Sequence, residues 1–139
     1  MKIIIPMAGD SKRFKEAGYS IPKPFMMIDG KSMIERVCSM FSSSDEFIFV
    51  CNKEHLRNKD YVGILEGAAS RQQVIAIDPH NRGPIYSVLQ AGRSIKDKQE
   101  PIILSYCDFT MQWDYQPFHL KIQRLIRELH GKFLLHVIA

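Results

Sequence analysis

Cysteine is scarce in this chain and poorly placed for chemistry. Cys38, Cys51 and Cys107 form no C-x-x-C pair, and none has a histidine at ligand spacing. That excludes a zinc-ribbon or dithiol redox framework and predicts free, structural core thiols. No apolar run is long enough to cross a bilayer. The apolar start, Met1 to Met7, is too short for a secretory signal and meets a charged loop at once, so a cytoplasmic setting without membrane is expected. Internal repeats, linkers and low-complexity tracts are also missing. There is no G-x-G-x-x-G and no obvious ribose-binding acid, which argues against a dinucleotide-binding domain. Histidines are few and scattered. His55, His119, His130 and His136 read as surface or packed side chains, whereas His80 lies in a loop at the expected crevice and is a candidate ligand contact. No Ser/His/Asp or Cys/His nucleophile set emerges from their spacing.

Charge of one sign is only mildly in excess. The net charge is +4, and charged residues make up 24% of the chain. Lys12, Arg13, Lys15 and Lys23 gather near one loop, while the other cations are interspersed with Asp and Glu. Tyr and Phe do not interleave with them as a base-stacking platform needs. This pattern suits a small phosphorylated ligand and argues against nucleic acid.

What is present is a regular alternation. Strands are expected at 2–6, 26–28, 46–51, 73–77, 101–105 and 132–139. Helices are expected at 32–41, 53–69, 85–95 and 115–129, with a single helical turn near 12–17. Ser32 followed by Glu35 forms a capping box at one helix start. Tyr61, Ile64, Leu65 and Ala68 fall at helical spacing, as do Val88, Leu89 and Gly92. Gly131 is expected to end the last helix. With 139 residues, 45% of them hydrophobic, the chain suits a single α/β domain over 1–139 with its own core. Alternating strands and helices mean a doubly wound, mostly parallel sheet. In such a sheet ligands sit beyond the carboxyl ends of the strands, so the loops after Pro6, Ile77 and Ser105 should converge on one crevice.

Those loops are also where the sequence becomes chemically specific. Ile3-Ile4-Ile5-Pro6 runs into Met7-Ala8-Gly9-Asp10-Ser11-Lys12-Arg13-Phe14, and Pro22-Lys23-Pro24 follows. Ala8 and Gly9 are small enough for backbone to approach a ligand closely. Arg13 offers a planar fork of donors, and Lys23 a compact charge on a stiff, proline-flanked segment. A second loop, Asp78 to Ser87, runs through Asn81, Arg82 and Gly83 into a helix start with Pro84 at its first position. A third segment, Ile102 to Asp108, is a buried-type strand ending in a lone carboxylate, a known way to hold a divalent cation on phosphates. Asp114 is the weaker candidate there, because it reads as a helix cap.

The order A-G-D-S-K-R-F, P-K-P and a strand-helix unit resembles the nucleotidyltransferases that make nucleotide-sugars, the sugar-nucleotide pyrophosphorylases. Their loop has the type A-G-x-G-[ST]-R-[LF]; here Ser11 stands at the second glycine and Lys12 at the Ser/Thr position. The resemblance implies a Rossmann-like nucleotidyltransferase fold in a cytoplasmic enzyme of polysaccharide or sugar-nucleotide biosynthesis. It implies transfer of a nucleoside monophosphate from a triphosphate to a sugar 1-phosphate or similar phosphorylated alcohol, with release of pyrophosphate. It assigns catalytic roles to Arg13, Lys23 and Asp108, with Asp108 holding Mg²⁺. It assigns nucleotide contacts to Ala8, Gly9, Asp10, Ser11 and Lys12 in the first loop, and to Asn81, Arg82, Gly83 and Ser87 in the second. The likeness weakens after Phe118, and no aspartate follows to serve as a second metal ligand. The C-terminal part of the family fold is therefore expected to be missing. A truncated frame, a fragment, or a compact variant completed by another subunit would account for this, and a homodimer is the expectation. A non-catalytic nucleotide-binding domain is the alternative function.

Overall fold

The computed structural model describes residues 1–95, 101–128 and the backbone of 135–138. β1 (Lys2–Met7) lies at the centre of a parallel sheet with β4 (Glu46–Asn52) and β5 (Gln72–Ile77) on one side, and β6 (Ile102–Ser105) and β7 (Leu135–Ile138) on the other. The strand order is β5-β4-β1-β6-β7. β1 pairs with β4 along its whole length, Lys2 opposite Glu46 through Met7 opposite Cys51. Its pairing with β6 stops at Ile4 opposite Leu104. The order reverses between β1 and β6, so the chain ends of these strands diverge and leave a crevice.

Period-two alternation sorts the strand residues onto two faces. Ile3, Ile5, Met7, Phe47, Phe49, Cys51 and Ile103 form one core with Ile34, Val37 and Leu65, and with Tyr115 and Trp113. Those partners come from or adjoin α2 (Met33–Cys38), α3 (Lys59–Ala68) and α5 (Tyr115–Glu128). Ile4, Ile48, Val50, Ile75, Ile102 and Leu104 form the other core beneath α4 (Pro84–Ala91), through Ala91, Ile95 and Val88. A sheet covered on both faces is the expected doubly wound arrangement.

Local chemistry accounts for where elements start and stop. Ser32 Oγ accepts the Glu35 N–H at 3.3 Å, and Glu35 Oε2 accepts the Ser32 N–H at 2.6 Å, completing the expected capping box. The helix that follows ends at Cys38, earlier than 41. The helix expected over 53–69 is divided. A 3-10 turn at His55–Arg57 gives way to extended backbone at Asn58, whose Oδ1 accepts the Asp60 N–H at 2.9 Å and starts α3. β2 (Met27–Ile28) turns back on β3 (Lys31–Ser32) through Asp29 and Gly30, both at positive φ, an Asp-Gly hairpin absent from the periodicity reading. In α4 the buried face is Ser87 and Ala91, with Val88 packed beside it. Leu89, grouped by spacing with Val88, is 69% exposed instead. Residues 129–134 and 139, which carry the expected helix end at Gly131 and part of the last strand, lie outside the described residues, as do the side chains of His130 and His136. Among the described residues no helix is long and apolar enough to cross a membrane.

Candidate functional site

The three loops after β1, β5 and β6 surround a cavity of about 410 Å³. From the first come Ala8, Gly9 and Asp10, then Ser11, Lys12 and Arg13. Ser11 adopts φ 53, ψ 34, the left-handed region. A glycine enters that region freely, whereas an L-residue is strained there. This is the physical content of the glycine that the resembled motif carries at this position. Ser11 precedes α1 (Lys12–Glu16), the expected single helical turn, and its carbonyl accepts the Phe14 N–H at 2.9 Å.

Lys23 begins a 3-10 turn, Lys23–Phe25, with Pro22 extended before it. Phe25 is buried and stacks on Tyr61 with centroids 4.2 Å apart, while His55 meets its edge at 6.2 Å. The turn is thereby fixed to the core, and Lys23 projects from it into the cavity. Its Nζ lies 3.0 Å from Asp108 Oδ2 and 4.4 Å from the centre of the Phe14 ring. A carboxylate and an aromatic face together hold the ammonium.

Asp108 follows β6 and shares the cavity wall with Tyr106 and Cys107. Cys107 is half-buried: it packs against the first core, as expected of a structural thiol, and also lines the cavity. Burial, and secondarily the Asp108 charge, push its thiol up to about 12, so it is no nucleophile. Cys38 and Cys51 are core thiols as expected, each pushed up to about 12 chiefly by burial. Asp114 accepts the Gln116 N–H at 3.3 Å, in keeping with a helix cap.

From the second loop Asn81, Gly83 and Ser87 line the cavity. Gly83 has φ 84, which only glycine adopts without strain, and it leads directly into Pro84 at the start of α4. Arg82 does not line the cavity: its guanidinium lies over the Tyr86 ring, 4.9 Å from the centroid. Arg82 lies just before the helix and Tyr86 in its first turn, and the stack keeps the guanidinium off the cavity wall. His80 was expected in the loop that meets the ligand. It lines the cavity, bonds Ser87 Oγ through Nε2 at 2.9 Å, and meets the Tyr86 ring edge-on at 4.7 Å. Its only sequence signal was its place in a Pro-His-Asn-Arg-Gly turn. Phe14 and Tyr106 were unmarked, because an aromatic beside a charged loop carries no signal of its own.

A parallel sheet with a small-residue loop, a clamped lysine and a strand-end aspartate at its switch point defines a nucleotidyltransferase-type domain. Residues 3–113 match the family described as the MobA-like NTP transferase domain, and the chain belongs to that family. Among solved structures it is similar to the nucleoside-diphosphate-sugar pyrophosphorylase from Vibrio cholerae RC9, at 24% identity and a TM-score of 0.61. That likeness covers 79% of this chain and 50% of the other, so the chain spans about half the length of that protein. It bears on the fold. A comparison with curated proteins gives no match.

Proposed function

We propose that the cavity binds a nucleoside triphosphate and transfers its nucleoside monophosphate to a phosphorylated acceptor, a sugar 1-phosphate or similar alcohol phosphate. The observation that carries this reading is the meeting of Lys23 and Asp108 in one crevice, 85 residues apart in sequence and 3.0 Å apart in space. Phosphoryl chemistry needs positioning and charge neutralisation more than covalent catalysis. An acceptor phosphate oxygen forms a bond to the α-phosphorus. The bond from that phosphorus to the bridging oxygen breaks, and pyrophosphate leaves with the electron pair. Arg13 holds the leaving phosphates with its fork of donors, and Lys23 neutralises charge that develops on the α-phosphate.

Among the described residues no three His, Cys, Asp or Glu side chains group as a self-sufficient metal site. Mg²⁺ on a nucleotide needs less: one or two carboxylates, with phosphates and water completing its shell. Asp108, a hard oxygen donor on the cavity wall, fits that demand. A bound Mg²⁺ would supply Lewis-acid neutralisation of the phosphate oxygens. The chain's own residues do the rest: the loop from Ala8 to Lys12 presents backbone to phosphate, and Asn81, Gly83 and Ser87 face the nucleoside.

The test is pyrophosphate release by the full chain across ribonucleoside triphosphates and dTTP, each offered with a panel of sugar 1-phosphates and Mg²⁺. Release that requires both substrates and disappears in Lys23→Ala and Asp108→Ala is expected. Tight triphosphate binding without release for any acceptor would replace this reading with a non-catalytic nucleotide-binding domain.

A further inference from the structure

His80 and Ser87 form a hydrogen-bonded unit whose polarity is set by the backbone. The Arg82 N–H points at His80 Nδ1 from 3.2 Å. A backbone N–H only donates, so Nδ1 is the unprotonated nitrogen of the ring. The neutral imidazole therefore carries its proton on Nε2, and Nε2–H donates to Ser87 Oγ at 2.9 Å. Ser87 Oγ is thus an acceptor in this pair, and its own hydrogen must go elsewhere. Ser87 is 2% exposed, lines the cavity, and has no other hydrogen-bond partner among the described residues. A buried hydroxyl with an unplaced hydrogen is costly unless something accepts it. Tyr86 packs edge-on against the imidazole and is itself covered by the Arg82 guanidinium, which braces the ring.

We infer that His80 is a positioning residue that presents the Ser87 hydroxyl as a donor to a carbonyl oxygen of the nucleobase, and that the site accordingly disfavours adenine. This rests on the nucleotide reading above and adds the base class to it. Adenine alone among the common bases offers no carbonyl oxygen to such a donor. A carbonyl oxygen stands about 1.2 Å beyond its ring carbon, whereas adenine's acceptors are ring nitrogens, set back by that much. A site built to donate to a carbonyl leaves its donor unpaired with the wrong base, and that penalty discriminates more strongly than shape alone.

The experiment is titration calorimetry of the full chain with UTP, dTTP, CTP, GTP and ATP in Mg²⁺, repeated on His80 and Ser87 variants. Weaker binding of ATP than of the best carbonyl-bearing triphosphate by about tenfold, the scale of one net hydrogen bond, is expected. Ser87→Ala should erase that preference. The His80 series separates positioning from mere structure. His80→Gln keeps an amide donor at the Nε2 end and should retain the preference. His80→Asn keeps an acceptor for the Arg82 N–H at the Nδ1 end but cannot reach Ser87, and should lose it. Binding of ATP as tightly as the others, or a preference unchanged in Ser87→Ala, overturns this inference and leaves nucleotide binding standing. Absence of binding for every triphosphate overturns both.

Discussion

The ammonium of Lys23 sits 3.0 Å from Asp108 and over the ring of Phe14, so the two groups with the best claim to chemistry neutralise each other when no ligand is near. Both are about one-third exposed, at 32% and 39%. A pair so open to solvent contributes little to folding, within about 1 kcal/mol. Its value lies in what a polyanion or a metal would gain by separating the two.

Lys23→Ala and Asp108→Ala should therefore each change unliganded stability by less than about 1 kcal/mol in urea unfolding. The thermal shift produced by a saturating triphosphate with Mg²⁺ should shrink sharply in both. A saturating ligand at a hundred times its dissociation constant adds about 2.7 kcal/mol, so the loss is easy to see. A large stability loss without ligand would mean the pair is structural.

Ser11 occupies the left-handed region at φ 53. Relief of that strain, roughly 1–2 kcal/mol, is partly offset by the extra chain entropy of glycine, about 0.5–1 kcal/mol. Ser11→Gly should leave the protein more stable by about 0.5–1 kcal/mol, and Ser11→Val should destabilise it. Urea midpoints of the two variants check this, and a destabilised Ser11→Gly would show that the hydroxyl has a structural role.

Asp45 is 2% exposed and accepts from the Met1 ammonium at 2.8 Å, the Tyr115 hydroxyl at 2.6 Å and the Ser42 N–H at 3.2 Å. It ties the start of β1 to the start of α5. Asp45→Ala leaves a buried cation unpaired and should cost about 3 kcal/mol. Tyr115→Phe removes one bond and should cost about 1 kcal/mol. Chemical denaturation distinguishes the two sizes.

His55 is buried with an unpartnered Nδ1, and burial, helped by the Lys15 charge, lowers its pKa from the ordinary 6.5. The unfolded chain thus binds a proton that the folded chain resists. The stability this represents is complete above pH 6.5 and is lost as pH falls through that value toward the folded pKa. Urea midpoints should decline over that interval in the native chain. His55→Phe should flatten the slope there, and an unchanged slope would assign it to other groups.

Much of this arrangement was legible because its causes are local. Three β-branched residues before a small-residue loop read as a buried strand, and Ser32 with Glu35 read as a helix start. Asn58 was legible in principle, since an Asn two residues before Asp60 is a cap, but continuous helical spacing of apolar residues concealed the break. The Asp29-Gly30 hairpin was too short for periodicity to register. The stacking of Arg82 is a different matter: its partner, Tyr86, is visible in sequence, yet nothing there says whether a guanidinium prefers a ring or a ligand. The approach of Lys23 to Asp108 depends on β6 lying beside β1, and strand order is decided by packing across the whole sheet. His80 became informative only when the direction of one backbone N–H was known.

Phe25 is wedged between Tyr61 and His55 while Lys23, two residues earlier, reaches the cavity. The short turn between them works as a lever with its fulcrum in the core. Engineering for altered nucleotide handling therefore has targets outside the cavity wall. Substitutions at Tyr61, on a helix that contributes nothing to that wall, would tilt the lysine and retune the site while leaving every wall residue as it is.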